Sequence, residues 1–330
     1  MTMPLLNARD PEAVRTAALH LAGGELLAFP TETVYGLGAR ADDDAAVRAI
    51  YAAKGRPAAH PLIVHLADAA QAPTFAADWP PAAQALAAAF WPGPMTLIVR
   101  RRPGVAEAAA GGQPTIGLRV PAHPAAQALL REALALGVPG VAGPSANRFG
   151  RVSATTAAHV QQEFGAELAV LDGGECPGGI ESAIVDCSRA QPALLRPGLL
   201  PRGRIEAVLG QPLQAPDAQS PRASGTLAAH YAPQAKLRLM TGAQLRDALG
   251  LLGAEAAGLK LAVYSRSAMP RAAGVMQRRM PDDAAAAAHE LFAALRDFDA
   301  RGAKLIWVEQ PPDVAEWEGV ADRLRRASAA

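Results

Sequence analysis

The chain has 330 residues, half of them hydrophobic, with 32 basic and 31 acidic side chains and a net charge of +1. That length favours two domains with full cores, and the charge balance argues against a surface coated for nonspecific nucleic-acid binding. Its two cysteines, Cys176 and Cys187, exclude a disulfide framework and fit a reducing, cytoplasmic setting.

The first residues lack the basic head and apolar run of a signal peptide, and no apolar run is long enough for a membrane helix, so no membrane partner is expected. Residues 11–22 read as a helix, with Asp10 as its cap and Pro11 in its first position. The apolar run over 26–29 makes residues 25–29 read as a buried strand, which leads into residues 29–38, FPTETVYGLG. Three hydroxyls (Thr31, Thr33, Tyr35), Glu32 and two glycines crowd that stretch. It reads equally as a ligand-contacting loop whose glycines admit close approach, or as a polar turn after Pro30.

Asp42, Asp43 and Asp44 precede a helix over 45–53 and are best explained by capping and the helix dipole. Lys54-Gly55-Arg56-Pro57 ends that helix. Further strands are expected over 62–66, 95–100, 115–120, 138–142, 168–171, 182–185 and 193–195, with helices over 81–90, 125–136 and 157–164. Residues 104–114, rich in glycine and alanine, are expected to form a mobile loop. This mixture is α/β, with strand directions undetermined. Residues 213–224 change composition to Pro, Gln, Asp, Ser and Ala and read as an inter-domain linker. Strands over 236–240, 259–264 and 305–308 then alternate with helices over 243–252, 284–300 and 314–327, the pattern of a small open Rossmann-like domain.

Several chemistries are excluded. Gly36-Leu37-Gly38-Ala39-Arg40-Ala41 mimics a dinucleotide fingerprint, but residues 30–35 separate it from the strand, and Arg56 stands where the ribose-binding acid belongs. There is no P-loop, GxSxG elbow, HExxH helix or CxxC pair. His60 and His65 lack a third metal ligand of clear spacing. What recurs is basic and hydroxyl residues at strand and helix ends. Lys54 and Arg56 flank Gly55, Thr115 and Arg119 share one face of a strand, Ser145, Asn147 and Ser153 follow another strand, Ser182 opens one, and Arg196 ends one. Each arginine alone reads as a surface charge; together they suggest convergence on an anion, most simply a polyphosphate. Chemistry would rest on positioning and charge stabilisation, as in phosphoryl or nucleotidyl transfer.

In order along the chain, FPTETVYGLG, KGRPxxxPLIVH (54–65), WPGPMTLI (91–98), TIGLRVP (115–121), GPSAN (143–147), ESAIVD (181–186) and LLRPG (194–198) resemble the YrdC-like domain of threonylcarbamoyl-AMP synthases. HYAP (230–233), followed by a small α/β domain, resembles the long two-domain form. The resemblance implies a YrdC-like open twisted mixed sheet with a basic concave pocket over 1–210, a linker over the active site at 211–234, and a C-terminal Rossmann-like domain over 235–330. It implies that L-threonine, bicarbonate or carbon dioxide, and ATP give threonylcarbamoyl-AMP and pyrophosphate, feeding tRNA threonylcarbamoyladenosine through a downstream transferase machinery. Thr33, His65, Arg119 and Ser182 would hold threonine. Lys54, Arg56, His60, Thr115, Ser145, Asn147, Ser153, Arg196 and Tyr231 would surround ATP, with Lys54 and Arg56 carrying catalysis. Mg²⁺ would come with ATP, without protein ligands or an organic cofactor.

Three departures stand out. His60 occupies a position often held by asparagine and would make ATP binding pH-sensitive. Arg148-Phe149-Gly150 lacks a serine often found before the glycine. The segment before HYAP lacks a Pro-Gly-Met form. Two alternatives use the same domain: a carbamoyltransferase of the hydrogenase-maturation type, whose companion segments are absent here, and a double-stranded RNA-binding module, against which the near-neutral charge weighs.

Overall fold

The computed structural model describes residues 5–252, 258–268 and 274–330. The chain forms two units, residues 1–149 with 153–226, and residues 150–152 with 227–330. Among the described residues the first carries ten strands: β1 (Leu5–Asn7), β2 (Leu27–Phe29), β3 (Gly36–Arg40), β4 (Ile63–His65), β5 (Met95–Arg100), β6 (Thr115–Arg119), β7 (Val141–Ala142), β8 (Ala169–Asp172), β9 (Ala183–Asp186) and β10 (Ala193–Arg196). They make one mixed sheet in the order β1-β8-β2-β3-β7-β4-β6-β5-β9-β10. Parallel pairs (β1–β8, β2–β8, β4–β6, β5–β9) are interspersed with antiparallel ones (β2–β3, β3–β7, β4–β7, β5–β6, β9–β10). The expected open mixed sheet is thus observed.

Helix Pro11–Ala22 begins where the sequence places it, with the Asp10 carboxylate accepting from the Glu12 N–H at 3.0 Å. Its Val14, Ala17, Ala18 and Leu21 pack with Leu129 and Leu130 of helix Pro124–Ala135 against Leu27, Phe29, Val141 and Leu171 of the sheet. Asp43 caps helix Asp44–Lys54 by accepting from Ala45 and Ala46, so the aspartate run serves the helix terminus. Gly55 ends that helix at φ 63°, a left-handed turn that favours glycine.

Two sequence expectations change. Residues 36–40 are strand β3, hydrogen-bonded between β2 and β7, and not a loop. A Cβ at Gly38 would lie 2.8 Å from the Phe29 ring and 2.9 Å from Val141, so this glycine admits a neighbouring aromatic instead of a ligand. Residues 104–114 are packed, not loose. Ala109 and Ala110 are fully buried, Leu62 N–H donates to Ala109 O at 2.7 Å, and Tyr51 Oη donates to Ala108 O at 2.9 Å. Alanine there supplies small core side chains.

The second unit holds β11 (Lys236–Met240), β12 (Leu261–Ser265), β13 (Met276–Arg279) and β14 (Leu305–Glu309), all parallel in the order β11-β14-β12-β13. This is the expected open α/β pattern. Strand β13, Met-Gln-Arg-Arg at the sheet edge, alternates half-buried and exposed positions, which hid it from a search for apolar runs. No helix among the described residues is long and apolar enough to cross a membrane.

Candidate active site

The site forms on one face of the first sheet, and strand alternation puts it there. In β4, Val64 points into the main core while Ile63 and His65 face the other way. Gly117 and Arg119 of β6 pair with Ile63 and His65. Thr96 and Ile98 of β5 share this face, as do Ser182 and Ile184 at the start of β9. Ile63, Ile98, Ile184 and Leu195 make an apolar floor, and Thr96, Thr115 and Ser182 supply hydroxyls above it.

The residues expected at threonine cluster at one end. Arg119, buried, donates from Nε to Gly93 O at 3.2 Å and from Nη2 to Thr33 Oγ1 at 2.9 Å and Glu32 Oε1 at 2.7 Å. Thr31 spends its hydroxyl proton on Val34 O at 2.6 Å, so its 2.8 Å bond to Thr33 must be donated by Thr33. Thr33 Oγ1 thus faces a ligand as an acceptor only. Ser182 Oγ lies 2.8 Å from Thr96 Oγ1 and accepts from Arg196 Nη2 at 3.2 Å. His65 packs edge-on against Phe29, with ring centroids 5.7 Å apart, and its Nδ1 has no hydrogen-bond partner among the described residues. Burial, and then the Arg119 charge, push its pKa down to about 3, so the imidazole is neutral.

The expected ATP residues lie alongside. Lys54 Nζ donates to Ser145 O at 2.6 Å and to Asn147 O, fastening the GPSAN turn to the end of its helix. Burial and then the neighbouring Arg56 hold its pKa well below the usual lysine value. Arg56 donates from Nη2 to Pro61 O and Ser224 Oγ, both at 2.9 Å, and its guanidinium lies 5.7 Å from the Phe149 ring centre. His60 packs edge-on against the same ring. Phe149, in the segment that departs from the family pattern, thus supports two site residues. The His60 pKa moves down through burial and the charges of Arg56 and Arg222, which shifts any protonation effect to more acidic pH. Ser153 donates to Glu181 Oε1 at 2.5 Å, and both are buried. Arg196 donates to Ser182 O through Nε and Nη2. Thr115 opens β6 beneath residues 222–224. Tyr231 belongs to the second unit, where it stacks on Phe292 and lies under the Arg323 guanidinium, 5.3 Å from its ring centre.

Sequence reasoning passed over Thr96, Gln113, Glu181, Arg222 and Ser224. For Thr96 a signal existed, because strand alternation puts it on the face of Ile98. Residues 222–224 gave none: their polar composition reads as linker, yet they lie across the site. Gln113 grips the Arg222 backbone, donating to its carbonyl at 3.1 Å and accepting from its N–H at 2.8 Å. Ser224 O accepts from Arg196 Nη1 at 2.9 Å. Between this strap and the floor is a cavity of about 20 Å³, enough for a water and too small for a nucleotide.

Buried Arg56, Arg119 and Arg196 therefore border this face with the hydroxyls of Thr33, Thr96, Thr115 and Ser182, and buried Lys54 lies beside Arg56. Among the described residues no group of three or more His, Cys, Asp or Glu could hold a metal ion. Both cysteines are free and buried, with burial raising their pKa, which leaves them inert as nucleophiles. Such a site can bind and orient anions and stabilise charge.

Known proteins resemble this chain along nearly its whole length. Residues 20–198 match a family profile described as "Telomere recombination", and residues 201–329 match one described as "Threonylcarbamoyl-AMP synthase, C-terminal domain". The chain is 38% identical over 327 residues to the threonylcarbamoyl-AMP synthase of Pyrococcus abyssi, spanning 96% of this chain and 94% of that one. It is 37% identical over 338 residues to that of Bacillus subtilis, covering 98% and 94%. The crystal structure of P. abyssi Sua5 complexed with L-threonine superposes with a TM-score of 0.89 at 35% identity, covering 99% of this chain and 98% of that one. The chain belongs to the threonylcarbamoyl-AMP synthase family.

Proposed function

We propose that this chain makes threonylcarbamoyl-AMP from L-threonine, bicarbonate or carbon dioxide, and ATP, releasing pyrophosphate. The observation that carries this reading is the set of four buried cations beside threonine-sized hydroxyl contacts, with no activated nucleophile among them. The threonyl amine takes up carbon dioxide as a carbamate. A carbamate oxygen then attacks the α-phosphorus of ATP, and the bond to the β-phosphate oxygen breaks.

Arg119 holds the threonine carboxylate, Thr33 accepts from its amine or hydroxyl, and Ser182 and neutral His65 close that end. Lys54, Arg56 and Arg196, with Ser145, Asn147, Ser153, Thr115 and His60, receive the nucleotide, and charge at the phosphates falls to the two arginines and the lysine. The cationic lining suits a triphosphate, whose Mg²⁺ would add its own charge to that of the arginines at the phosphates. The strap at 222–224 occupies Arg56 and Arg196 through Ser224 and moves aside when phosphates bind them. The product is a reactive mixed anhydride, so a transferase that modifies tRNA adenosine is its natural recipient. Two free buried cysteines support a cytoplasmic setting.

The test is pyrophosphate release by the full chain with ATP, Mg²⁺ and bicarbonate, with and without L-threonine. Strong stimulation by threonine is expected; its absence in a folded protein overturns the reading.

A further inference from the structure

Glu32 stands beside the arginine assigned to the substrate carboxylate, and the reaction as described gives it no task. Its Oε1 accepts from Arg119 Nη2 at 2.7 Å and its Oε2 accepts from the Ala122 N–H at 2.9 Å. The pair is nearly enclosed, with side-chain exposures of 4% for Arg119 and 13% for Glu32. Guanidinium offers five N–H donors. Gly93 O takes the one on Nε, and Glu32 and Thr33 take the two on Nη2. Only Nη1 has no partner among the described residues. A side-on, two-pronged grip on a substrate carboxylate is therefore unavailable. A substrate carboxylate can take Arg119 only at Nη1, while Glu32 and Gly93 fix the guanidinium along the edge that carries Nη2 and Nε.

The charges matter as much as the geometry. Arg119 and Glu32 sum to zero in a poorly solvated place, so an incoming plain carboxylate meets an arginine already neutralised. An α-amino acid carries its amino group one carbon from its carboxylate, and that group finds the Glu32 charge within a few ångströms. We propose that Glu32 determines specificity, making the Arg119 site select an amino acid over a simple carboxylate while it positions the guanidinium. This rests on the reading that Arg119 receives the threonine carboxylate.

The experiment compares the full-length wild type with Glu32→Gln, Glu32→Asp and Arg119→Ala. It measures KM for threonine, KM for ATP, and inhibition by 3-hydroxybutyrate, which is threonine without its amino group. Glu32→Gln should raise the threonine KM about tenfold, a change of one charge–charge contact, leave the ATP KM unchanged, and strengthen inhibition by 3-hydroxybutyrate. Movement of the two ligands in opposite directions is the signature, since a merely structural role would weaken both. Glu32→Asp keeps the charge and loses reach, so threonine KM rises while the preference over 3-hydroxybutyrate is retained. It serves equally if the glutamine variant does not fold. Both ligands weakening together, neither changing, or aspartate losing the preference overturns the proposal. If Arg119→Ala leaves threonine KM unchanged, the underlying assignment fails. If it raises KM while Glu32→Gln does nothing, only the role of Glu32 fails.

Discussion

Lowering the pH from 7.5 to 5.5 should cost the first unit about 1.4 kcal/mol through His65 alone. The ring lies against Phe29, and Gly143 is so close that a Cβ there would sit 3.1 Å from Nδ1. Burial and the Arg119 charge hold its pKa at about 3, whereas an unfolded histidine titrates near ~6.5. Between those values the unfolded chain binds more protons than the folded one, so stability rises with pH across the window and falls as the solution is acidified. The linkage relation gives a loss of about 1.4 kcal/mol at pH 5.5 and about 2.7 kcal/mol at pH 4.5, relative to alkaline pH. The assay is urea unfolding of wild type and His65→Gln at pH 7.5, 6.5 and 5.5. Other histidines contribute equally to both proteins, so the wild-type advantage over the variant should shrink by about 1.4 kcal/mol from pH 7.5 to 5.5. An advantage that stays constant would refute the claim that the fold holds this imidazole neutral. A ring that titrates near its ordinary value by NMR would do the same.

Arg56→Ala should lower kcat/KM for ATP by about 100-fold or more, the scale of a lost transition-state charge contact, with threonine affinity little changed; an ATP effect below tenfold would count against its phosphate role. Gly198→Ala would place a Cβ 2.2 Å from the Ala183 backbone nitrogen, forcing β9 and the adjoining Ser182 to shift. Thermal melting should show a loss of about 3 kcal/mol, the upper range for overpacking. Gln113→Ala removes two hydrogen bonds to the strap, so ATP should associate faster, by about fivefold if ~1 kcal/mol of restraint is released; stopped-flow binding reports this. Chelation of divalent cations should stop pyrophosphate release, and added Mg²⁺ should restore it.

Local chemistry made much of the chain legible. Asp10 and Asp43 cap the helices they precede, and the apolar stretches around 95–100, 169–171 and 305–308 are strands. All the candidate site residues but Ser153 and Tyr231 stood in six of the seven ordered motifs, and the first unit brings Arg56, Arg119, Arg196 and Ser182 around one face of the sheet. What stayed hidden depends on contacts between distant segments. Gly36 and Gly38 looked like loop glycines because nothing nearby in sequence says that Phe29 and Val141 press on them. Residues 104–114 looked loose because small side chains carry little periodicity. Helix Arg202–Leu209 buries Ile205 alone, too weak a pattern to read. Ser224 gave no sign of reaching Arg56, since a polar segment reveals nothing of where it lands.

The reach of the site's bonds also bears on how the protein comes to exist. Glu32 is 87 residues from Arg119, Lys54 is 91 from Ser145, and Arg56 is 168 from Ser224. Strands adjacent in the sheet are likewise distant in the chain, as with β1 and β8 or β5 and β9. Closing such long loops is slow. On the ribosome the amino-terminal helix and its first strands are made long before β8 and β9 appear to complete their ladder. The end proposed for threonine gains Ser182 only after more than half of the chain is synthesised, and the arginines proposed for the phosphates meet Ser224 later still. Grip on substrate is therefore among the last properties this chain acquires, and a nascent fragment ending before β9 exposes its cations with no built pocket around them.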